Sequence, residues 1–305
     1  MHHDGVTVIE AAARVHQAAD PRRTPHTWYA GLLLTLAAGV VLNTVLGPLV
    51  TGVVSYPIAE TVRNQLIGLE LVSVGLVVPT AVVAAVLALR GHRAAGVLGF
   101  GPAAYTGYMF LQYVLGPEYR SYAPAVWLHL GLFTLGGALA AWGFALSEPS
   151  RMPTLTRRAE WLYGIVLLLL AGFVTSRYLG TFTGSFDNAP LPAESAATPT
   201  FFWSIVLLDL GVVVPATVVA GIALIRGGRW AHPALYAILG WFALVPPSVA
   251  AMGATMLAND DPYASAGQVV VLSVLSLLFA GFAVWVYRPL FSRQLFGRQL
   301  FSRPS

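Results

Sequence analysis

The sequence predicts an all-α, polytopic integral membrane protein. Its eight transmembrane helices form two tandem four-helix units related by a parallel pseudo-two-fold. Three observations predict this. The 305 residues are 57% hydrophobic and only 10% charged, where a soluble domain carries about a quarter charged residues. The arginines collect on alternate loops. And two stretches, LVSVGLVVPTAVVAAVLALRG (residues 71–91) and LLDLGVVVPATVVAGIALIRG (residues 207–227), repeat almost the same pattern.

In chain order, residues 1–27 are a polar tail containing Arg14, Arg22 and Arg23. They lack the apolar core and small-residue site of a cleavable signal. Residues 6–19 read either as a short amphipathic helix on the membrane surface or as an unstructured tail. Apolar runs of membrane-spanning length follow at 28–50, 64–89, 94–115 and 123–146, making a first unit over 28–147. Residues 148–159 form a linker. Further runs at 160–181, 201–225, 231–257 and 267–287 make a second unit over 160–288. Residues 289–305 are a basic tail, LFSRQLFGRQLFSR within it, that either lies on anionic lipid or hangs free.

With this count, only Arg63, Arg120 and Arg177 of the 17 arginines fall on the outer side. The positive-inside rule then puts both termini, the linker and the basic tail in the cytoplasm, and the chain in the cell membrane as a multi-pass protein. A seven- or nine-span count would scatter arginine over both faces. The outer loops carry Glu118, Asp187, Glu194, Asp260 and Asp261. The longest, residues 182–200, is rich in Pro, Ala, Ser and Thr and reads as irregular.

Residues 28–52 align without gaps on 161–185, matching Trp28 with Trp161, Gly39 with Gly172 and Gly47 with Gly180. The two opening stretches align through Gly75/Gly211, Pro79/Pro215, Arg90/Arg226 and Gly91/Gly227. Gly, Pro and Arg recurring at fixed offsets argue for duplication. Units with an even number of spans enter from the same side, hence the parallel symmetry. Pro79 and Pro215 are expected to kink the second helix of each unit.

Ionisable side chains within spans are costly and are suspects for function. Those here are Glu70, His129, Arg177 and Asp209, with Asn43, Ser73 and Gln112 as polar company. At 1.5 Å per residue, Glu70 lies about 30 Å from Arg90 and Asp209 about 25 Å from Arg226. His129, Arg177 and Asn43 come to similar heights, so the sequence predicts one polar layer in the outer third. Within it, Arg177 is expected to pair with Asp209 or Glu70. The layer reads either as a ligand, proton or catalytic site, or as a structural ion pair and snorkelling side chains.

The pattern of Gly68, Glu70, Leu71, Val72, Pro79, Arg90, Gly91, Tyr105 and Tyr108 resembles a widespread group of uncharacterised bacterial multi-spanning membrane proteins. The resemblance covers residues 64–146 well and the second unit in part, where Val206 takes the acid's place and Asp209 carries it instead. It implies that an acid ahead of a proline in the second helix is a recurring feature. It implies no activity.

Composition narrows the chemistry. There is no cysteine, which excludes disulfides and thiolate sites, and no lysine, which excludes Schiff-base catalysis. No metal set is apparent, no cofactor is implied, and a lone intramembrane histidine argues against bis-histidine haem. GVLGFG (residues 96–101) lies in a span and reads as helix packing rather than a phosphate loop. The positive charge follows topology, so no nucleic acid is implied; the expected partners are the bilayer and a lipophilic or small ionic ligand. Three functions remain open. The first is transport or permeation of a small solute, ion or proton through an outward-facing polar pocket. The second is a membrane-embedded enzyme using carboxylic acid chemistry on a lipophilic substrate, in the manner of integral-membrane terpene cyclases. The third is a non-catalytic partner protein, using the small-residue faces at 136–143 and 251–254.

Overall fold

The structure is a computed structural model that describes residues 23–292, and no strand occurs among them. The amphipathic stretch 6–19 and most of the basic tail lie outside the described residues. The helices are α1 (Arg23–Leu46), α2 (Glu60–Leu89), α3 (Ala95–Leu115), α4 (Ala125–Leu146) and α5 (Arg157–Ser176). Two short helices, α6 (Leu179–Phe186) and α7 (Ala193–Ala196), follow. Then come α8 (Pro199–Arg226), α9 (Ala231–Phe242), α10 (Val245–Ala258) and α11 (Ala266–Phe291).

Among the described residues, 7 helical segments are long and apolar enough to cross a membrane: α1, α2, α4, α5, α8, the α9–α10 pair and α11. These are the marks of a multi-pass membrane protein. The expected third span, α3, has the length at 21 residues but not the apolarity. Its glycines, Pro102, Gln112 and tyrosines suit its position instead. Most of α3 is buried, and it packs against α2, α4, α8 and α9. A helix surrounded by protein needs no apolar surface toward lipid.

Two further expectations change. The seventh predicted span breaks at Ala243 and Leu244, between α9 and α10. Pro246 and Pro247 lack the amide donors that would continue the helix, so a new one starts with proline in its first turn. The loop at 182–200 is not wholly irregular, because α6 and α7 fall within or beside it.

Helices α2 and α8 organise the bundle. They contain 30 and 28 residues, about 45 and 42 Å of helix, longer than the ~30 Å hydrocarbon layer. A helix of that length tilts. Each contains a π-helical turn, Ser73–Val77 in α2 and Asp209–Val213 in α8. Each turn ends two residues before proline, Pro79 and Pro215. Proline has no N–H and clashes with the carbonyl four residues back. Widening the preceding turn relieves this, and the Val78 and Val214 amides bond the Ser73 and Asp209 carbonyls. At the π turn each helix also changes neighbours. Val78–Leu89 packs on α1 and α3, whereas Glu60–Val72 packs on α10. Val214–Arg226 packs on α5 and α9, whereas Pro199–Leu208 reaches α3.

The two ends of the bundle are tied differently. At the arginine-rich end, α2 and α8 stop at Gly91 and Gly227, with φ of 62° and 71°, the left-handed conformation that glycine adopts without strain. Arg157 donates to the Leu224 and Ile225 carbonyls, and Arg93 to those of Pro289 and Leu290 at 2.7 and 3.0 Å. These cations complete helix C-termini. His92 stacks on Phe291, with ring centroids 5.4 Å apart. Burial, then Arg93 and Arg151, hold its pKa below the ordinary histidine value, so the ring stacks as the neutral form. At the opposite end, Asp261 accepts hydrogen bonds from Asn64 Nδ2 (3.0 Å) and Thr61 Oγ1 (3.4 Å). There Glu118 accepts from Thr200.

Small residues let the helices approach. Gly101 faces Gly240, Gly96 faces Gly143, and Gly107 faces Gly136. Gly68 faces the Ala251–Met252 backbone. The small-residue faces expected to meet a partner protein are therefore largely used within the chain. A Cβ on Gly68 would sit 2.5 Å from the Ala251 carbonyl, whereas one on Gly131 would meet nothing within 4 Å. Gly68→Ala is therefore expected to push α2 off α10, costing about 1–3 kcal/mol. Thermal unfolding in detergent should show a lower Tm for Gly68→Ala and an unchanged one for Gly131→Ala. Equal Tm values would contradict this packing.

Candidate functional site

The six polar candidates do not share one site. Asn43, Glu70 and His129 gather at α2, Arg177 and Asp209 border one cavity at α8, and Ser73 stands apart.

The first cluster forms around Glu70, one turn ahead of the π turn in α2. Glu70, Asn43 and His129 are buried, at 1%, 3% and 0% exposure. Glu70 Oε2 accepts the Leu49 amide at 3.0 Å. Its Oε1 is buried without a hydrogen-bond partner and lies against the backbone of Gly47, where a Cβ would collide with it. A side chain at Gly47 would force the carboxylate to move. His129 Nε2 lies 2.9 Å from Asn43 Oδ1 and 3.3 Å from the Tyr56 hydroxyl. An amide oxygen only accepts, so Nε2 carries the proton in this arrangement. His129 is enclosed by rings, Tyr56 stacked at 5.8 Å, Phe110 at 5.6 Å and Tyr113 edge-on at 5.2 Å.

The second cluster forms around Asp209, the first residue of the π turn in α8, with 5% exposure. Its two oxygens are held separately. Oδ1 accepts from the Tyr108 hydroxyl at 2.7 Å and Oδ2 from that of Tyr178 at 2.5 Å. Such short phenol–carboxylate bonds are strong and directional. Tyr108 comes from α3 and Tyr178 from the turn after α5, so the carboxylate joins three helices. Trp241 packs edge-on against Tyr108, with centroids 5.7 Å apart.

Arg177 does not pair with Asp209 or Glu70. Among the described residues it makes no ion pair within 4.0 Å, and it is exposed at the end of α5. The Tyr108 and Tyr178 hydroxyls hold the carboxylate without it. Arg177 and Asp209 instead line the same cavity, of about 300 Å³. Leu170 and Phe173 of α5, Trp241 of α9, and Leu275 and Phe279 of α11 complete much of its wall. A second recess of about 220 Å³ shares Arg177, Val249, Gln268 and Leu272 with it, and reaches Glu194, Ser195 and Tyr263 at the loops. Together they form a cleft that runs from the loops down to Asp209.

Ser73, which aligns with Asp209, joins neither cluster. Its hydroxyl turns back to the Leu69 carbonyl at 2.8 Å, the usual fate of serine inside a helix. The sequence reading missed the roles of Tyr56, Tyr108, Tyr113 and Tyr178. One signal was available: a buried tyrosine needs a partner for its hydroxyl, and Tyr178 directly follows Arg177. Among the described residues no group of His, Cys, Asp and Glu is placed to hold a metal ion.

Comparison with family models, curated proteins and solved structures finds no match.

Tyr178→Phe removes one of the donors to Asp209 and leaves a buried carboxylate oxygen unsatisfied, a cost of about 1–3 kcal/mol. Its Tm in detergent is expected to fall. Tyr122→Phe, at a fully exposed tyrosine, is expected to leave Tm unchanged. A Tyr178→Phe protein as stable as the wild type would mean that the hydroxyl does not hold Asp209.

Proposed function

We propose that the chain is an eight-span membrane protein of two tandem four-helix units, with both termini cytoplasmic, that passes a small amphiphilic solute through a pocket open to the outer side. The cleft at Asp209 and Arg177 carries this reading. It combines apolar walls, an oriented carboxylate and an unpaired cation in one concave site, the usual make-up of a small-molecule pocket.

Several features support the duplication. The π turns, the prolines after them and the left-handed glycines of α2 and α8 fall at aligned positions. The carboxylate ties do as well: Asn64, held by Asp261, aligns with Thr200, held by Glu118. Each second helix reaches the third helix of the other unit, and α3 meets α9. This is the contact pattern that a parallel two-fold would generate. In the same reading α3 is the eighth span, shielded from lipid by its neighbours. Its crossing keeps all arginine loops on one side.

The units differ where function would be exercised. In the first, α1 packs against α4, and a Cβ on Gly39 would lie 2.6 Å from Leu132. In the second, the aligned Gly172 faces nothing within 4 Å. Helices α5 and α11 meet at Tyr163 and Phe282, with ring centroids 5.9 Å apart, near the arginine-rich end. The cleft lies farther toward the other end, between the same two helices. A closed unit thus braces an open one.

The absence of cysteine makes topology simple to test. Single cysteines at Ser121 and Ser195 should react with an impermeant maleimide from outside, and one at Ser150 should not. Protection at Ser121 would remove α3 from the spans. For activity, proteoliposomes carrying a fluorescently labelled single-chain lipid report movement between leaflets through dithionite quenching. The wild type is expected to accelerate it and Asp209→Asn to slow it. A wild-type rate equal to that of empty liposomes would rule out transport of such solutes.

A further inference from the structure

We propose that the cleft of the second unit binds a single-chain amphiphile with an oxyanion head, entering sideways between α5 and α11. The inference rests on the reading of the cleft as a ligand site and names the ligand's chemistry.

The head group follows from charge. Arg177 stands at the rim with no carboxylate within 4.0 Å among the described residues. The acids that line the cleft with it are Asp209, whose oxygens accept from tyrosine hydroxyls, and Glu194 in the adjoining recess, and neither makes an ion pair with the guanidinium. Gln268 lines the cavity and the adjoining recess together with Arg177, and its amide adds donors beside the cation. A guanidinium with free donors suits the planar or tetrahedral oxygens of a carboxylate or phosphate.

The tail follows from shape. Below Arg177 the walls are Leu170, Phe173, Leu275 and Phe279. The volume of about 300 Å³ is at the lower end of small-molecule sites and suits one chain rather than two. Access is lateral because α11 is the least buried of the membrane-length helices and stands apart from α5 beyond the Tyr163–Phe282 contact. A lipid can therefore slide in from the bilayer with its head level with the arginine.

The test is photo-crosslinking of the full-length protein in nanodiscs at alkaline pH. The probes are photoactivatable palmitic acid, photoactivatable monoacylglycerol phosphate and the methyl ester of the first. Peptides from α5 and α11 are then mapped. Both anionic probes, or one of them, should label these helices about tenfold more than the ester, the value of one charge-assisted hydrogen bond. Preference between them tells carboxylate from phosphate. Arg177→Ala should abolish the difference, and Arg177→Lys should keep part of it. Arg177 is exposed, so neither change threatens folding. Equal labelling by acid and ester, or labelling spread over all lipid-facing helices, would overturn the inference. Selective binding without leaflet movement would refute transport but leave this site standing. Leaflet movement without anionic selectivity would do the reverse.

Discussion

Proline leaves a membrane helix one amide donor short, and the bilayer offers no water to make up the loss. The arrangement of this protein depends on how α2 and α8 meet that constraint. Each widens into a π turn just ahead of its proline, so the helix continues with a change of direction and face. That change lets each helix begin against one set of neighbours and end against another. The two long helices thereby join successive parts of the bundle, and glycines at the crossings let backbones touch.

The same irregularity produces the site. A π turn shifts the register of side chains by one residue, and such turns recur at functional positions. In α8 the residue that opens the turn is Asp209, and it meets tyrosines from α3 and from the end of α5. In α2 the corresponding residue is Ser73, whose hydroxyl donates to the Leu69 carbonyl, and the acid sits earlier, at Glu70. Glu70 and His129 are enclosed by rings and by the turn at Gly47 and Leu49. Asp209 borders open space. A π turn ahead of a proline thus accompanies a closed polar core at α2 and an accessible pocket at α8.

Seven membrane-length helices were legible in the sequence as apolar runs bounded by arginine, the Arg-Gly pairs marked the turns at Gly91 and Gly227, and Pro79 and Pro215 marked the irregular points; the break at Ala243 and Leu244 and the short helices near 182–200 were not. Burial of the polar candidates was legible in part, because a carboxylate flanked by apolar residues on a long run has few ways out. Their partners were not. Tyr108 is far from Asp209 in the chain, and only the crossing of α8 over α3 brings them together. Arg177 was expected to pair with Asp209 or Glu70; it shares a cavity with Asp209 but makes no ion pair, because similar height along a helix does not bring two side chains into contact. The small-residue faces were ambiguous for a similar reason: a stripe of glycine records a close approach but not what approaches. The cleft was hidden because it depends on where α11 leans, which its nearly uniform apolar surface does not encode.

The central claim is that the first unit is closed between its first and fourth helices and the second is open. Cysteine pairs test it directly, since the chain has no cysteine of its own. One pair replaces Gly39 and Leu132, which adjoin across α1 and α4; the other replaces Leu170 of α5 and Leu275 of α11, which both line the cleft. Under mild oxidation in membranes, the account predicts a rapid disulfide in the first pair and none in the second. Equally rapid disulfides in both would contradict it.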